Sequence, residues 1–140
     1  MQSTHLIQPV VILVLWSMIM WLWMYATRLP AMKAAKIKPD SNAPQGHQMS
    51  QLPAHVRWKA DNYNHLMEQP TLFYAVMMSL ALMGTQSTVV VYTAWAYVAL
   101  RIIHSLIQAL GNKIIFRFTA FFLSNIALFI LTVNAVMHAF

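Results

Sequence analysis

The long uncharged stretches limit the fold of this 140-residue chain more than any other feature. Residues 69–100 form a run of 32 positions without Asp, Glu, Lys or Arg, and residues 118–140 form a second run. A helix needs roughly 20 mainly apolar residues to cross the hydrocarbon core of a bilayer. Because 59% of all residues are hydrophobic and only 9% are charged, the sequence predicts an integral membrane protein.

Four membrane-spanning helices are expected in a single domain. The first lies at about residues 6–27 and has Trp and Tyr residues near its later end, as interfacial anchors do. Gly84 and the polar residues after it divide the run of 32 residues between two helices, since the run is too long for one crossing. The other three helices are expected at about 61–83, 88–110 and 114–138. The predicted fold class is therefore an all-α bundle of four transmembrane helices.

A cleaved signal peptide is the alternative interpretation of the first apolar segment. Signal peptides carry positive charge ahead of the apolar run and small residues after it. Here the first basic residue, Arg28, comes after the segment, which favours a membrane helix.

The basic residues predict the orientation of the bundle. All nine lie in or beside the first and third connections between helices: Arg28, Lys33, Lys36, Lys38, Arg57, Lys59, Arg101, Lys113 and Arg117. In a four-helix topology these connections share one side of the membrane, and the positive-inside rule makes that side cytoplasmic. We therefore expect a cytoplasmic loop at about residues 28–59, both termini on the other side, and a bacterial inner membrane as the location. The basic residues lack the dense clustering and interleaved aromatics of a nucleic-acid surface.

Polar side chains within the spans are the candidates for a functional site, because an ionisable group at the centre of a membrane helix costs at least ~2.5 kcal/mol. One face of the second helix carries three polar residues at helical spacing: Asp61, Asn64 and Glu68. One face of the third helix carries four: Arg101, His104, Ser105 and Gln108. Both faces lie toward the cytoplasmic ends, and we expect them to meet near Arg117 of the fourth helix.

Simpler interpretations of these residues remain open. Glu68 could neutralise Arg101 or Arg117 and only tie helices together, since polar contacts hold membrane helices in place. His104 could be an interhelical hydrogen-bonding residue, and His65 an interfacial one. A metal site is not indicated, because the histidines and Glu68 have no established ligand spacing and the chain has no cysteine.

Two segments of the sequence resemble a known family. Residues 57–70 (RWKADNYNHLMEQP) are similar to the basic, Ala, Asn, Glu, Pro signature of the MAPEG proteins, the membrane-associated proteins in eicosanoid and glutathione metabolism. Residues 99–105 (ALRIIHS) resemble the Arg-x-x-His run of that family. Arg117 falls where several members carry the arginine credited with activating the glutathione thiol. The resemblance covers about residue 6 to the C-terminus and is to a bacterial-type member.

The resemblance implies a homotrimer with sites between subunits that bind glutathione near the cytoplasmic face. It implies a glutathione transferase or peroxidase acting on hydrophobic electrophiles among the membrane lipids, with Arg117 as the catalytic residue nearest sulfur. The residues expected around glutathione are Arg57, Lys59, Asn64, Glu68, Arg101, His104, Gln108 and Lys113. Among them, the basic groups Arg57, Lys59 and Arg101 suit the carboxylates of glutathione. Asn64 is assigned to its amides, and Glu68 to its ammonium group or to holding an arginine in place.

The chain departs from the family pattern at three positions. Asn64 and Glu68 are four residues apart, whereas the family commonly spaces them by three. Gln108 stands where many members have a tyrosine, and Lys113 could compete with Arg117 as the cation near sulfur.

Two other classes of function therefore stay open. One is a non-catalytic lipid-binding or structural subunit of a larger membrane complex. The other is a transporter or proton conductor with Glu68 and His104 as a relay, although no half-to-half repeat supports it.

Overall fold

The computed structural model of the protein describes the backbone of residues 2–140 and the side chains of residues 4–140. The described chain is all helical. Its elements, in order, are α1 (Gln2–Ala34), a 3₁₀ helix (Met49–Gln51), α2 (Ala54–Glu68), α3 (Pro70–Leu82), α4 (Thr88–Leu110) and α5 (Ile114–Ala139). α1, α4 and α5 are each long and apolar enough to cross a membrane. α2 and α3 follow one another directly and together make the second of four crossings.

The second crossing is divided at Gln69, between α2 and α3. Pro70 has no N–H to donate to the carbonyl of Leu66, so the helical hydrogen bonding is interrupted there. Proline suits the first position of a new helix, where its fixed φ is already helical, and Pro70 holds that position in α3. The crossing therefore has a polar half, α2, and an apolar half, α3.

The helices run beyond the predicted spans at the basic end of the bundle. α1 continues past residue 27 to Ala34, and α2 begins at Ala54 rather than at 61. These extensions contain four Ala, two Lys and two Arg residues, which favour helix in water as well as in lipid. The predicted loop of 28–59 is thus reduced to a connection of residues 35–53.

Turn chemistry fixes the connection between α3 and α4. Gly84 has a positive φ of 69°, and its N–H donates to Ala81 at 3.1 Å while Thr85 N–H donates to Leu80 at 3.2 Å. This pair of bonds is the Schellman pattern that ends a helix, and glycine adopts the required backbone conformation without steric cost. Ser87 then caps α4 by accepting from the N–H of Val90 at 3.4 Å.

The first and third connections lie at the same end of the bundle. Lys59 Nζ, near the start of α2, donates to the carbonyl of Ala109 at the end of α4 over 3.4 Å. The same ammonium lies 5.2 Å from the ring centroid of Trp23 in α1. At the opposite end, His5 and Leu6 line a cavity together with residues 85–88. The basic residues are therefore gathered at one end of the molecule.

The core of the bundle is apolar and lies where all the helices meet. Its fully buried members include Leu13, Met20, Leu66, Phe73, Met77, Leu80, Val90 and Leu131. Large apolar side chains also cover the outside, among them Leu22, Phe122 and Phe129. A soluble protein would not expose so large an apolar surface, whereas lipid tails cover it without cost. The protein is an integral membrane protein.

Candidate functional site

The polar face of α4 points into the bundle. Its members are Tyr97, Arg101, His104, Ser105 and Gln108, and all of them are buried. Arg101 has an exposed fraction of 0% and is the largest fully buried side chain among the described residues. The spacing of these residues in the sequence predicted that they share one face, and the structure shows that the face is internal.

The predicted polar face of α2 does not meet the polar face of α4 within this chain. Asp61, Asn64 and Glu68 are all exposed. That part of the prediction is wrong because apolar residues set the phase of the helix: Val56 and Leu66 occupy the interior side of α2. Helical spacing counted from Val56 and Leu66 would have identified the interior face of α2 correctly.

The interior side of α2 carries polar residues that the sequence did not assign to the site, among them His65, which was expected at the membrane interface. Asn62 is fully buried, and His65 is half-buried beside α4. Gln69 lies at the break in the crossing, where its Oε1 accepts from the hydroxyl of Tyr97 at 3.2 Å and its Nε2 donates to Oδ1 of Asn125 in α5. Asn125 in turn donates to the carbonyl of Phe121 at 2.9 Å. This network joins three helices at the depth of the break.

Within the described residues, no carboxylate forms a hydrogen bond or ion pair with Arg101. Nη2 donates to Nδ1 of His65 at 2.7 Å and approaches the carbonyl of the same residue at 3.4 Å. Nε and Nη1 are buried and have no hydrogen-bond partner within the described residues. A buried guanidinium without a counter-charge is costly in a membrane. The site therefore favours an anion.

Aromatic rings surround the guanidinium. His65 and His104 stack with centroids 4.8 Å apart and planes inclined by 19°. Phe121 of α5 lies edge-on to His65 at 5.1 Å, and its ring centroid is 6.0 Å from Cζ of Arg101. Residues from three helices thus meet at one point: His65 of α2, Arg101 and His104 of α4, and Phe121 of α5.

Several other buried polar atoms near these residues lack partners within the described chain. These atoms are Oδ1 and Nδ2 of Asn62, Nδ1 of His104, the hydroxyl oxygen of Ser105 and Oε1 of Gln108. Each unsatisfied group costs ~1–3 kcal/mol by the measure of protein mutations, and lipid can satisfy none of them. Water molecules or a polar ligand would supply the missing hydrogen-bond partners. Together with Arg101 they form what we call the inner site.

A second group of predicted residues lines a cavity of about 330 Å³ beside the first connection. Arg57 and Asn64 both line it, with Arg28 and Asp61 as further polar members. Nε of Arg57 donates to the carbonyl of Leu52 at 3.0 Å, which turns the side chain toward the connection. None of the lining residues comes from α4. We call this the loop cavity, and it is distinct from the inner site.

The remaining predicted residues lie around these two places. Glu68 is exposed on the outer side of α2, and Lys59 bridges α2 and α4. Lys113 is exposed, lies 5.8 Å from the ring centroid of Phe116 and lines an apolar groove of about 460 Å³ between α4 and α5. Arg117 is half-buried, and its Nη1 donates to Oδ1 of Asn112 at 2.5 Å.

The described part of the chain has no cluster of side chains suited to bind a metal ion. No group of three or more His, Cys, Asp or Glu residues there is arranged to hold an ion. The stacked histidines instead have Arg101 beside them, and a cation next to a metal ion would oppose its binding.

The fold and the inner site define a helical membrane protein with a buried cationic centre near one end. In a comparison with models of protein families, the model of the MAPEG family matches residues 6–137 of the chain. The chain belongs to the MAPEG family, whose members are membrane proteins of glutathione and eicosanoid metabolism. No curated protein and no solved structure matches significantly.

Proposed function

We propose that the protein is a glutathione-dependent membrane enzyme, a transferase or peroxidase that acts on hydrophobic electrophiles. The observation that carries the proposal is Arg101, a permanent cation with 0% exposure and no carboxylate partner in the described chain. A ligand that brings an anionic group would offset the cost of burying that charge.

Glutathione supplies the groups that such a site needs. It carries two carboxylates, an ammonium group and a thiol, and guanidinium groups bind carboxylates through charge-assisted hydrogen bonds. Arg101 is assigned to one carboxylate, with His104 and Gln108 offering further polar contacts. Arg57 and Asn64 line the separate loop cavity, so the assignment of Arg57 and Lys59 to the second carboxylate and of Asn64 to the amides stays a prediction.

Arg117 is assigned to the sulfur atom, with Lys113 as the alternative cation. A free thiol has a pKa of ~8.5, and a nearby cation lowers it, so more thiolate is present at neutral pH. In a transferase reaction the thiolate sulfur forms a bond to the electrophilic carbon, and the displaced electron pair leaves with the leaving group. The arginine keeps its own proton and acts through its charge.

Assembly into a homotrimer would complete the site from outside the single chain. Glu68 faces outward from α2, and a charged side chain facing lipid is costly. A neighbouring subunit would give Glu68 a polar partner, and Glu68 would then meet the ammonium of glutathione bound between subunits. We place the basic end of the bundle on the cytoplasmic side of a bacterial inner membrane, with both termini opposite.

Equilibrium binding of glutathione to the detergent-purified protein tests this function. We expect saturable binding and a rise in thiolate absorbance, and we expect Arg101→Gln to weaken binding about tenfold or more, since a hydrogen bond to a charged group is worth ~1.5–3 kcal/mol. Lys38→Gln is the control, because Lys38 is exposed in the connection. Absence of saturable binding, or equal binding by the Arg101 variant, would contradict the proposal.

A lipid-binding or structural role is the second candidate, and the groove between α4 and α5 favours it. The groove is almost entirely apolar, with Lys113 as its charged member. It suits an acyl chain whose anionic headgroup meets that lysine. If the purified protein retained a phospholipid and bound no glutathione, this role would replace the enzymatic one.

A further inference from the structure

We infer that His65 is the positioning residue of the inner site, which holds Arg101 in place through the unprotonated Nδ1 of a neutral imidazole. The inference deepens the proposed function, because the orientation of Arg101 decides which of its N–H groups face the ligand. Nothing in the family signature of residues 57–70 singles out His65.

The hydrogen bond between the two side chains fixes the tautomer of His65. Nη2 of Arg101 and Nδ1 of His65 are 2.7 Å apart. A guanidinium can only donate, so Nδ1 must be the acceptor and the ring proton must be on Nε2. The carbonyl of His65, at 3.4 Å from the same Nη2, adds a second acceptor from the same residue.

The ring of His65 is itself held on two sides. One face stacks on His104 at 4.8 Å, and Phe121 meets it edge-on at 5.1 Å with planes inclined by 70°. The three rings come from α2, α4 and α5, which belong to three different crossings. Packing on both sides fixes the plane of the imidazole, and the hydrogen bond to Arg101 determines which edge of the ring carries Nδ1 toward the guanidinium.

This arrangement directs the remaining donors of Arg101. His65 occupies Nη2, whereas Nε and Nη1 have no partner within the described residues. Those two nitrogens are the ones available to an anionic group of the ligand. Without the Nδ1 acceptor the guanidinium would keep only the backbone carbonyl of His65 at 3.4 Å, so its orientation would be less well fixed and its affinity for the ligand would fall although its charge is unchanged.

Two substitutions of His65 test its hydrogen-bond acceptor and its aromatic ring separately. His65→Asn keeps an acceptor close to the position of Nδ1 but loses the ring, whereas His65→Phe keeps a ring for stacking but loses the acceptor. His55→Phe is the control on the same helix, because His55 is exposed. Glutathione affinity and steady-state kinetics are measured for each variant in detergent, and nitrogen-15 NMR of imidazole-labelled protein reports the tautomer.

We expect His65→Phe to raise the Kd and KM for glutathione about tenfold or more at nearly unchanged kcat, because it removes binding that is equal in the ground and transition states. His65→Asn should stay within about threefold of the unaltered protein. Equal losses in both variants would indicate a merely structural role and overturn the inference. An Nδ1–H signal from His65 would also overturn it, and this readout remains valid even if the unaltered protein binds no glutathione and the proposed function fails.

Discussion

The guanidinium of Arg117 is bound by a neighbouring residue, Asn112. Asn112 follows α4 with a positive φ of 49°, a conformation that asparagine tolerates better than most residues. Its N–H donates to the carbonyl of Ile107 at 2.6 Å, and its side chain accepts from Arg117 at 2.5 Å. One residue thus ends α4 and holds the cation that we assign to the thiol.

Substitution of Asn112 by glycine tests this role. Glycine accepts the positive φ but removes the amide, so the turn should persist while Arg117 loses its acceptor. We expect the apparent pKa of bound glutathione to rise toward that of the free thiol, with less thiolate absorbance at neutral pH and a nearly unchanged melting temperature. Asn42→Gly, in the exposed connection, is the control. An unaltered thiolate titration would show that Asn112 does not position Arg117.

Residue spacing predicted the shared polar face of α4 but not the interior face of α2, and the reason is physical. On α4 the polar stripe is the buried stripe, so Arg101, His104 and Gln108 could be grouped from their spacing alone. On α2 polar residues occur on several sides, and only the apolar Val56 and Leu66 identify the interior. His65 was interpreted as an interfacial residue because its partner, Arg101, lies on another crossing and cannot be found by local spacing.

Among the helices, the break at Gln69 links the second, third and fourth crossings to the inner site through hydrogen bonds. The amide of Gln69 links Tyr97 of α4 to Asn125 of α5, and Asn125 contacts the backbone of Phe121. Phe121 lies against His65 and Arg101, so the network supports the ring on which the inner site rests. The sequence predicted the span but not the break, because Pro70 was included in a continuous helix.

Replacing Gln69 by leucine should destabilise the protein through this network. Leucine is close in size to glutamine but leaves the phenol of Tyr97 and the amide of Asn125 without their partner. Hydrogen bonds between membrane helices contribute ~0.6–1.7 kcal/mol each, so we expect a loss of roughly 1–3 kcal/mol in the free energy of unfolding. Unfolding by denaturing detergent measures it, with Gln86→Leu as the exposed control. Stability equal to that of the control would show that the network is energetically unimportant.

At the scale of the whole molecule, the apolar surface and the position of the charges define the protein. Lipid covers the outside, the basic residues gather at one end, and the inner site lies between α2, α4 and α5. Uncharged runs and basic connections were sufficient to predict the four-crossing bundle, because membrane insertion depends on composition along the chain. Contacts between subunits depend on surfaces whose partners lie outside the chain, so the trimer stays a proposal.

The proposed function requires the buried guanidinium of Arg101 to receive an anionic group of the ligand. Electron cryo-microscopy of the purified protein with saturating glutathione tests it most directly. We expect a carboxylate of glutathione within hydrogen-bond distance of Nε or Nη1 of Arg101, and three copies of the chain around the site. A ligand bound elsewhere, with Arg101 contacting only protein and water, would contradict it.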